Sequence, residues 1–140
     1  MTEFKSLETA WIALNKLHVR AHRNIEQALQ EANLPRLDWY DVLWALECAP
    51  DGLRPYQMQD AMLFEQSSFS RLTTRLEKDG LIERSKDSAD GRGLVLKITD
   101  TGKKLRAKMW PVYQQAIAAE MEHVAEQGND LKALLYLSRP

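Results

Sequence analysis

The spacing of apolar residues predicts long helices at both ends of this 140-residue chain. From Leu7 to about Asn33, side chains suited to an interface recur in alternating steps of four and three, as they do along one helix face. A second seam of the same spacing lies between Lys103 and about Gln127, where we expect Pro111 to bend or interrupt the helix. The first seam consists of Leu7, Trp11, Leu14, His18, Ala21, Ile25, Ala28 and Ala32.

The middle of the chain has the pattern of a helix-turn-helix followed by a β-hairpin wing. A short helix has an inward face at positions i, i+3, i+4 and i+7, and Gly80 ends this helix because glycine accepts left-handed backbone. The inward face consists of Phe69, Leu72, Thr73 and Leu76. Two strands are predicted at residues 81–84 and 94–98, on either side of a polar tip.

Shorter elements complete the prediction. We expect helices at residues 37–48, 56–62 and 130–138, and a short strand at Leu53-Arg54 that pairs with the wing. The expected helix caps are Asp38, Glu65 or Ser67, and the segment 99–102. The fold class is therefore mainly α with a small β-wing.

The outward face of the helix near residues 67–78 carries hydroxyls and arginines, and no acid occurs between Gln66 and Thr74. Short hydroxyls allow a helix to approach a phosphate backbone, and arginine can reach base edges with two hydrogen bonds. The expected DNA-binding residues are Ser67, Ser68, Ser70, Arg71, Thr74 and Arg75 on the helix, Lys86, Ser88 and Arg92 on the wing, and Arg54 and Gln57 on the preceding helix. The alternative for Arg71 and Arg75 is an internal salt bridge with Glu77 or Asp79.

The charge distribution supports this interpretation, although the formal net charge is −1. The segment 66–108 contains eleven Lys or Arg and six Asp or Glu, a net +5, which leaves −6 for the remainder. A local positive field is what meets a DNA duplex, so the overall pI is a poor guide.

The two apolar seams favour a homodimer joined through the terminal helices, residues 1–34 and 103–140, around a winged helix-turn-helix at 35–102. Two-fold symmetry would then place two recognition helices roughly 34 Å apart, in successive major grooves of a pseudo-palindromic operator. The alternative is that the long helices fold back on a single monomer.

Two segments together resemble the MarR family of bacterial transcription regulators. They are Leu-Glu-x-x-Gly-Leu-Ile-x-Arg at residues 76–84, and Asp-x-Arg at 90–92 followed by Ile-Thr-x-x-Gly at 98–102; the helix WYDVLWAL at 39–46 adds to the likeness. The resemblance spans nearly the whole chain. It implies a homodimer that acts as a repressor and whose recognition helices enter the major groove.

The resemblance also implies a role for the wing. Arg92 would enter the adjacent minor groove and Asp90 would hold it by a salt bridge. The family's wing tip is commonly Asp-Pro-x-Asp-Arg-Arg, whereas this chain has Asp-Ser-Ala-Asp-Gly-Arg at residues 87–92. The absence of the proline and of one arginine predicts a looser and less basic wing.

Family members often bind a small aromatic or phenolic effector between the dimerisation helices and the winged domain. The residues that could line such a pocket are Trp11, His18, Tyr40, Trp44, Trp110 and Tyr113. The alternative is that these aromatic side chains form core.

The sequence gives weak support for a metal site or for a functional cysteine. His18 and His22 have the i, i+4 spacing of two metal ligands, but a third ligand is not evident unless Cys48 or His123 lies near, so we expect no metal and no cofactor. Cys48 is the single cysteine; it excludes an intrachain disulfide, suggests a reducing cytoplasm, and is expected to be a buried filler.

The main rivals to a DNA-binding regulator are an enzyme and a protein-binding module. The chain has no Gly-x-Ser-x-Gly, phosphate loop, His-Glu-x-x-His or Cys-x-x-Cys motif, and we expect no catalysis. We also expect no membrane span, because no apolar run approaches the required length. A winged helix that binds another protein without specific DNA binding is the alternative function.

Overall fold

The computed structural model describes residues 3–63, 68–86 and 93–126. Within them it contains five helices and a two-stranded antiparallel sheet, which is the winged helix-turn-helix with helical extensions that the sequence predicts. The elements are α1 (Phe4–Glu31), α2 (Leu37–Glu47), α3 (Pro55–Ala61), α4 (Phe69–Lys78), β1 (Ile82–Lys86), β2 (Leu94–Ile98) and α5 (Asp100–Glu126). The chain divides into two compact units, one formed by residues 1–32 and 112–140 and the other by residues 33–111.

The core of the 33–111 unit joins α2, α3, α4 and the sheet. Its buried members are Val42, Leu43, Ala45, Leu46, Met58, Leu72, Leu76, Leu81, Ile82 and Leu96. The inward face predicted for α4 is confirmed, since Leu72, Thr73 and Leu76 are buried and Phe69 packs against the core. Burial of such side chains contributes roughly 1.5–3 kcal/mol each, so the orientation of α4 is set by its apolar face.

The sheet has a third, very short partner. β1 pairs with β2 from Ile82↔Ile98 to Lys86↔Leu94, and Leu53 forms an isolated bridge with Leu96 through two backbone hydrogen bonds of 3.0 and 2.8 Å. The predicted pairing of this segment with the wing is confirmed. Gly52 makes the approach possible, because its φ is +89° and a Cβ there would lie 2.1 Å from Cγ1 of Val95.

Thr99 connects the end of α4 to the start of α5. Its hydroxyl donates to the carbonyl of Gly80 at 2.7 Å and accepts the N–H of Gly102 at 3.0 Å. The capping role predicted for this segment is therefore confirmed. Gly80, with a φ of +75°, supplies the left-handed residue that ends α4.

The other unit contains α1 and the distal part of α5. Asn24 of α1 donates a hydrogen bond to Glu120 of α5 at 2.6 Å, and Leu29, Tyr113 and Val124 are buried. The first half of α1 is instead exposed. Its large apolar side chains, in a single chain, leave much of their surface in solvent: Phe4, Leu7, Trp11, Ile12, Leu14 and Val19.

Several local predictions are wrong. Asp38 lies inside the first turn of α2, and the N-cap residue is Arg36, without a side-chain cap bond. Helix α5 continues through Pro111, so the expected interruption does not occur. Cys48 is exposed, not a buried filler. The predicted caps Glu65 and Ser67 and the helix at 130–138 lie outside the described residues.

Candidate nucleic-acid interface

Helix α4 presents a continuous polar face to solvent. Its apolar face is buried, and the first turn contains no acidic residue. The predicted contact residues Ser68, Ser70, Arg71, Thr74 and Arg75 are all exposed on this helix or at its N-cap. The hydroxyl of Thr74 donates to the carbonyl of Ser70 at 2.8 Å, which leaves its oxygen able to accept. The face therefore combines short hydroxyls, which allow close approach to a phosphate backbone, with arginines long enough to contact base edges.

The two arginines of α4 differ in their surroundings. Arg75 pairs with Asp79 across one turn, with a distance of 3.3 Å between Nε and Oδ2. The internal salt bridge considered as an alternative therefore exists for Arg75. Arg71 forms no hydrogen bond or ion pair with any residue in the described part of the chain. It is the more available of the two for an external partner.

An ion pair that was not predicted from the sequence joins α4 to β1 of the wing. Nε of Arg84 on β1 lies 2.6 Å from Oε2 of Glu77 on α4, and the guanidinium also approaches the hydroxyl of the buried Thr73. Glu77 and Arg84 both belong to the motif at residues 76–84, and this motif is the feature of the sequence that could have indicated their pairing. Their pairing fixes the recognition helix relative to the first wing strand.

A second contact joins α2 to Leu63, which follows α3. The carboxylate of Asp41, a buried residue of α2, accepts the backbone N–H of Leu63 at 3.0 Å. A buried acid needs such a partner to offset its desolvation. Sequence spacing alone gives no signal for this contact, because the two residues lie on different elements.

The remaining predicted DNA contacts fall into three groups. Lys86 is exposed at the end of β1, where the wing strand leads into the tip. Gln57 is exposed in the first turn of α3, and its side-chain oxygen accepts the backbone N–H of Arg54 at 2.9 Å. Arg54 is half-buried. Ser67, Ser88 and Arg92 lie outside the described residues, so their contacts stay predictions.

Comparison with known proteins agrees with this geometry. Residues 32–93, which contain the helix-turn-helix and most of the wing, match the model of the MarR family. This segment of the chain is similar to the winged helix of the MarR family. Among curated proteins, none matches the sequence significantly.

Solved structures of MarR-family regulators have the same fold. AbsC from Streptomyces coelicolor is 21% identical, with a TM-score of 0.79 over 98% of this chain and 90% of AbsC. A mutant MarR from E. coli in complex with operator DNA is 18% identical, with a TM-score of 0.77 over the whole of both chains. BldR from Sulfolobus solfataricus is 18% identical, with a TM-score of 0.77 over 97% of this chain and 94% of its own. At these identities the likeness establishes the fold.

Three of the six predicted pocket residues lie together in the MarR-like 33–111 unit. Tyr40 and Trp110 stack with ring centroids 6.1 Å apart, and the guanidinium of Arg106 lies 4.9 Å from the ring centre of Trp44. Arg106 also pairs with Glu47, with 2.5 Å between Nε and Oε2. Tyr40 is buried, whereas Trp44 and Trp110 remain 45% and 37% exposed. Trp11, His18 and Tyr113 belong to the other unit.

The electrostatics of this cluster perturb two groups. Burial raises the pKa of the Tyr40 hydroxyl above its ordinary value, although the hydrogen bond and charge of Arg106 act in the opposite direction. Burial lowers the pKa of Arg106, but the hydrogen bonds and charges of Glu47 and Tyr40 outweigh it, so the pKa is raised. Arg106 is therefore a fixed cation that joins α5 to α2.

The residues considered for metal binding do not assemble into a site. The rings of His18 and His22 are 6.1 Å apart and tilted by 46°. Among the described residues, no group of three or more His, Cys, Asp or Glu side chains could hold a metal ion. No described helix is long and apolar enough to cross a membrane.

Proposed function

We propose that this chain is a sequence-specific regulator of transcription that binds double-stranded DNA. It acts as a repressor by occupying a pseudo-palindromic operator as a homodimer. The observation that carries the proposal is the exposed face of α4, on which Ser70, Arg71 and Thr74 stand above a buried apolar face. Within a MarR-family winged helix, this is the helix that would enter the major groove.

The chemistry of that face favours DNA over a protein partner. Protein interfaces centre on buried aromatic and aliphatic anchors, whereas the outward positions from Ser70 to Arg75 carry hydroxyls and cations. Hydroxyls and guanidinium groups suit phosphate and base edges. The mutant MarR from E. coli, which shares the fold, is seen with operator DNA, and this supports the same use of the fold here.

The homodimer is supported by the exposed half of α1. Phe4 is 78%, Trp11 66% and Leu14 53% exposed in the single chain. Large apolar side chains repeated along one helix mark an interface with another chain. Sedimentation should therefore find a dimer, and the variant Trp11→Glu/Leu14→Glu should be a folded monomer with much weaker operator binding.

The decisive experiment is in vitro selection of DNA by the full-length protein, followed by binding measurements over a range of salt. We expect an enriched inverted repeat whose half-sites are about one helical turn apart. The logarithm of affinity should fall linearly with the logarithm of salt concentration, with a slope of about −0.9 per phosphate contact. A library that remains unenriched, or an affinity independent of salt, would refute DNA recognition.

We also propose that a small aromatic or phenolic effector releases the protein from its operator. Such a compound can release DNA only if it binds better to the conformation that does not bind the operator. The aromatic residues Tyr40, Trp44 and Trp110 support it by giving the 33–111 unit a tryptophan-containing cluster. A panel of phenolic acids should contain one that both changes tryptophan fluorescence and lowers operator affinity.

A further inference from the structure

Arg54 lies where α3 meets the wing, and its backbone is held from both sides. Its neighbour Leu53 makes two hydrogen bonds with Leu96 of β2, and its own N–H is bound by the side chain of Gln57. The residue is half-buried rather than free at the surface. The direction in which its side chain can extend is therefore limited.

The guanidinium of Arg54 covers Gly93, the residue immediately before β2. A Cβ built on Gly93 would lie 2.8 Å from Nη1 and 2.9 Å from Cζ of Arg54. The absence of a side chain at Gly93 therefore provides the space that the guanidinium occupies.

We propose that Arg54 is a positioning residue for the wing, holding the start of β2 by laying its guanidinium over Gly93. This inference rests on the proposed DNA binding and assigns Arg54 a role other than the phosphate contact expected from the sequence. The wing enters DNA recognition as a hairpin, so its contacts depend on where β2 begins. Arg54 fixes that point from the N-cap of α3.

The pair of residues offers an unusual test, because Arg54 can be displaced without altering its charge. Gly93→Ala places a methyl group where the guanidinium lies, and the flexible arginine side chain is the part that must move. The fold should tolerate this substitution. Arg54→Ala removes the guanidinium directly, and Gly93→Ala/Arg54→Ala removes both the guanidinium and the reason for the clash.

The first measurement is hydrogen exchange of the DNA-free protein by NMR. Amides of β2, among them that of Leu96, should exchange about fivefold faster or more in Gly93→Ala and in Arg54→Ala than in the wild type. The amide of Leu81, bound to the carbonyl of Leu76 at 2.9 Å, is the internal control and should be unchanged. Arg36→Ala, which also removes one surface arginine, should leave β2 exchange unchanged.

The second measurement is affinity for the selected operator. Gly93→Ala and Arg54→Ala should each weaken binding by about 5–30-fold. The double variant should be no weaker than Arg54→Ala alone, because the two changes remove the same contact. The salt slope should stay within about half a unit of the wild type, since a direct phosphate contact would lower it by about one.

The outcomes separate this inference from the proposed function. Unchanged β2 exchange in both single variants would overturn the positioning role, and so would a salt slope reduced by about one in Arg54→Ala with normal exchange. If the wild type selects no DNA but β2 exchange rises as expected, the proposed function fails while the positioning of the wing by Arg54 stands.

Discussion

The two arginines of α4 allow a controlled comparison, because they lie on the same helix and differ in whether an acid is paired with them. Arg71 and Arg75 lie one turn apart on the same exposed face, but only Arg75 is paired with an acid, Asp79, in the described part of the chain. Substituting each by alanine removes one positive charge from the same helix. The two substitutions should nevertheless differ in their effects on DNA affinity and on stability.

The magnitudes follow from these surroundings. A bidentate arginine contact to a base is worth roughly 1–3 kcal/mol, so Arg71→Ala should lower operator affinity by about 5–150-fold. Arg75 must first release Asp79; the two side chains are 64% and 35% exposed. An exposed pair across one helical turn is worth about 0.3–0.5 kcal/mol. For an equal contact to DNA, Arg75→Ala should therefore cost about twofold less affinity than Arg71→Ala.

Fluorescence anisotropy with the selected operator and with a scrambled duplex measures both effects. Arg71→Ala should lose affinity mainly for the operator, and Arg71→Lys should lose nearly as much, because lysine keeps the charge but cannot bind in the bidentate manner. Urea unfolding should show no loss of stability for Arg71→Ala and a loss of at most about 0.5 kcal/mol for Arg75→Ala. The assignment of α4 as the reading helix is refuted if Arg71→Ala and Arg71→Lys both bind the operator like the wild type.

Three further predictions concern the scaffold. Gly52→Ala should destabilise the protein by about 2–5 kcal/mol in urea unfolding, because it adds a left-handed alanine and a clash with β2; wild-type stability would contradict the packing described. Thr99→Ala should cost about 0.5–2 kcal/mol through loss of its cap, whereas Thr99→Ser should retain most of it. The raised pKa of Tyr40 means that the unfolded state ionises first, so stability is full below pH about 10 and declines above it. Tyr40→Phe should lose that part of the alkaline decline in melting temperature, and the exposed Tyr56→Phe should not.

The parts of the fold that could be predicted from sequence depend on neighbours along the chain. The buried face of α4, its end at Gly80 and the strand 94–98 are each specified by residues within one helical turn or one strand. The cap at Thr99 is equally local. Periodicity and turn chemistry act over such distances, so they predicted both α4 and its exposed residues.

The contacts that sequence did not predict join separate elements. The pairs Arg84–Glu77 and Arg106–Glu47 connect a strand or helix to another helix, and the Asp41–Leu63 bond connects α2 to the segment after α3. Such partners are chosen by the packing of the whole unit, which is unknown until the elements are placed. The position of Arg54 over Gly93 belongs to the same class.

These pairings also bear on how a chain with a net charge of −1 would read DNA. Acids hold three of the basic residues of the 33–111 unit, since Arg75, Arg84 and Arg106 each have a carboxylate partner. Glu77 and Asp79 are already subtracted in the net +5 of residues 66–108, so the positive field of that segment comes from its other basic residues. That field attracts any duplex, whereas the α4 hydroxyls and Arg71 supply short-range contacts that require a close fit. Discrimination between operator and other DNA is the ratio of the two affinities, so it should depend on those short-range contacts.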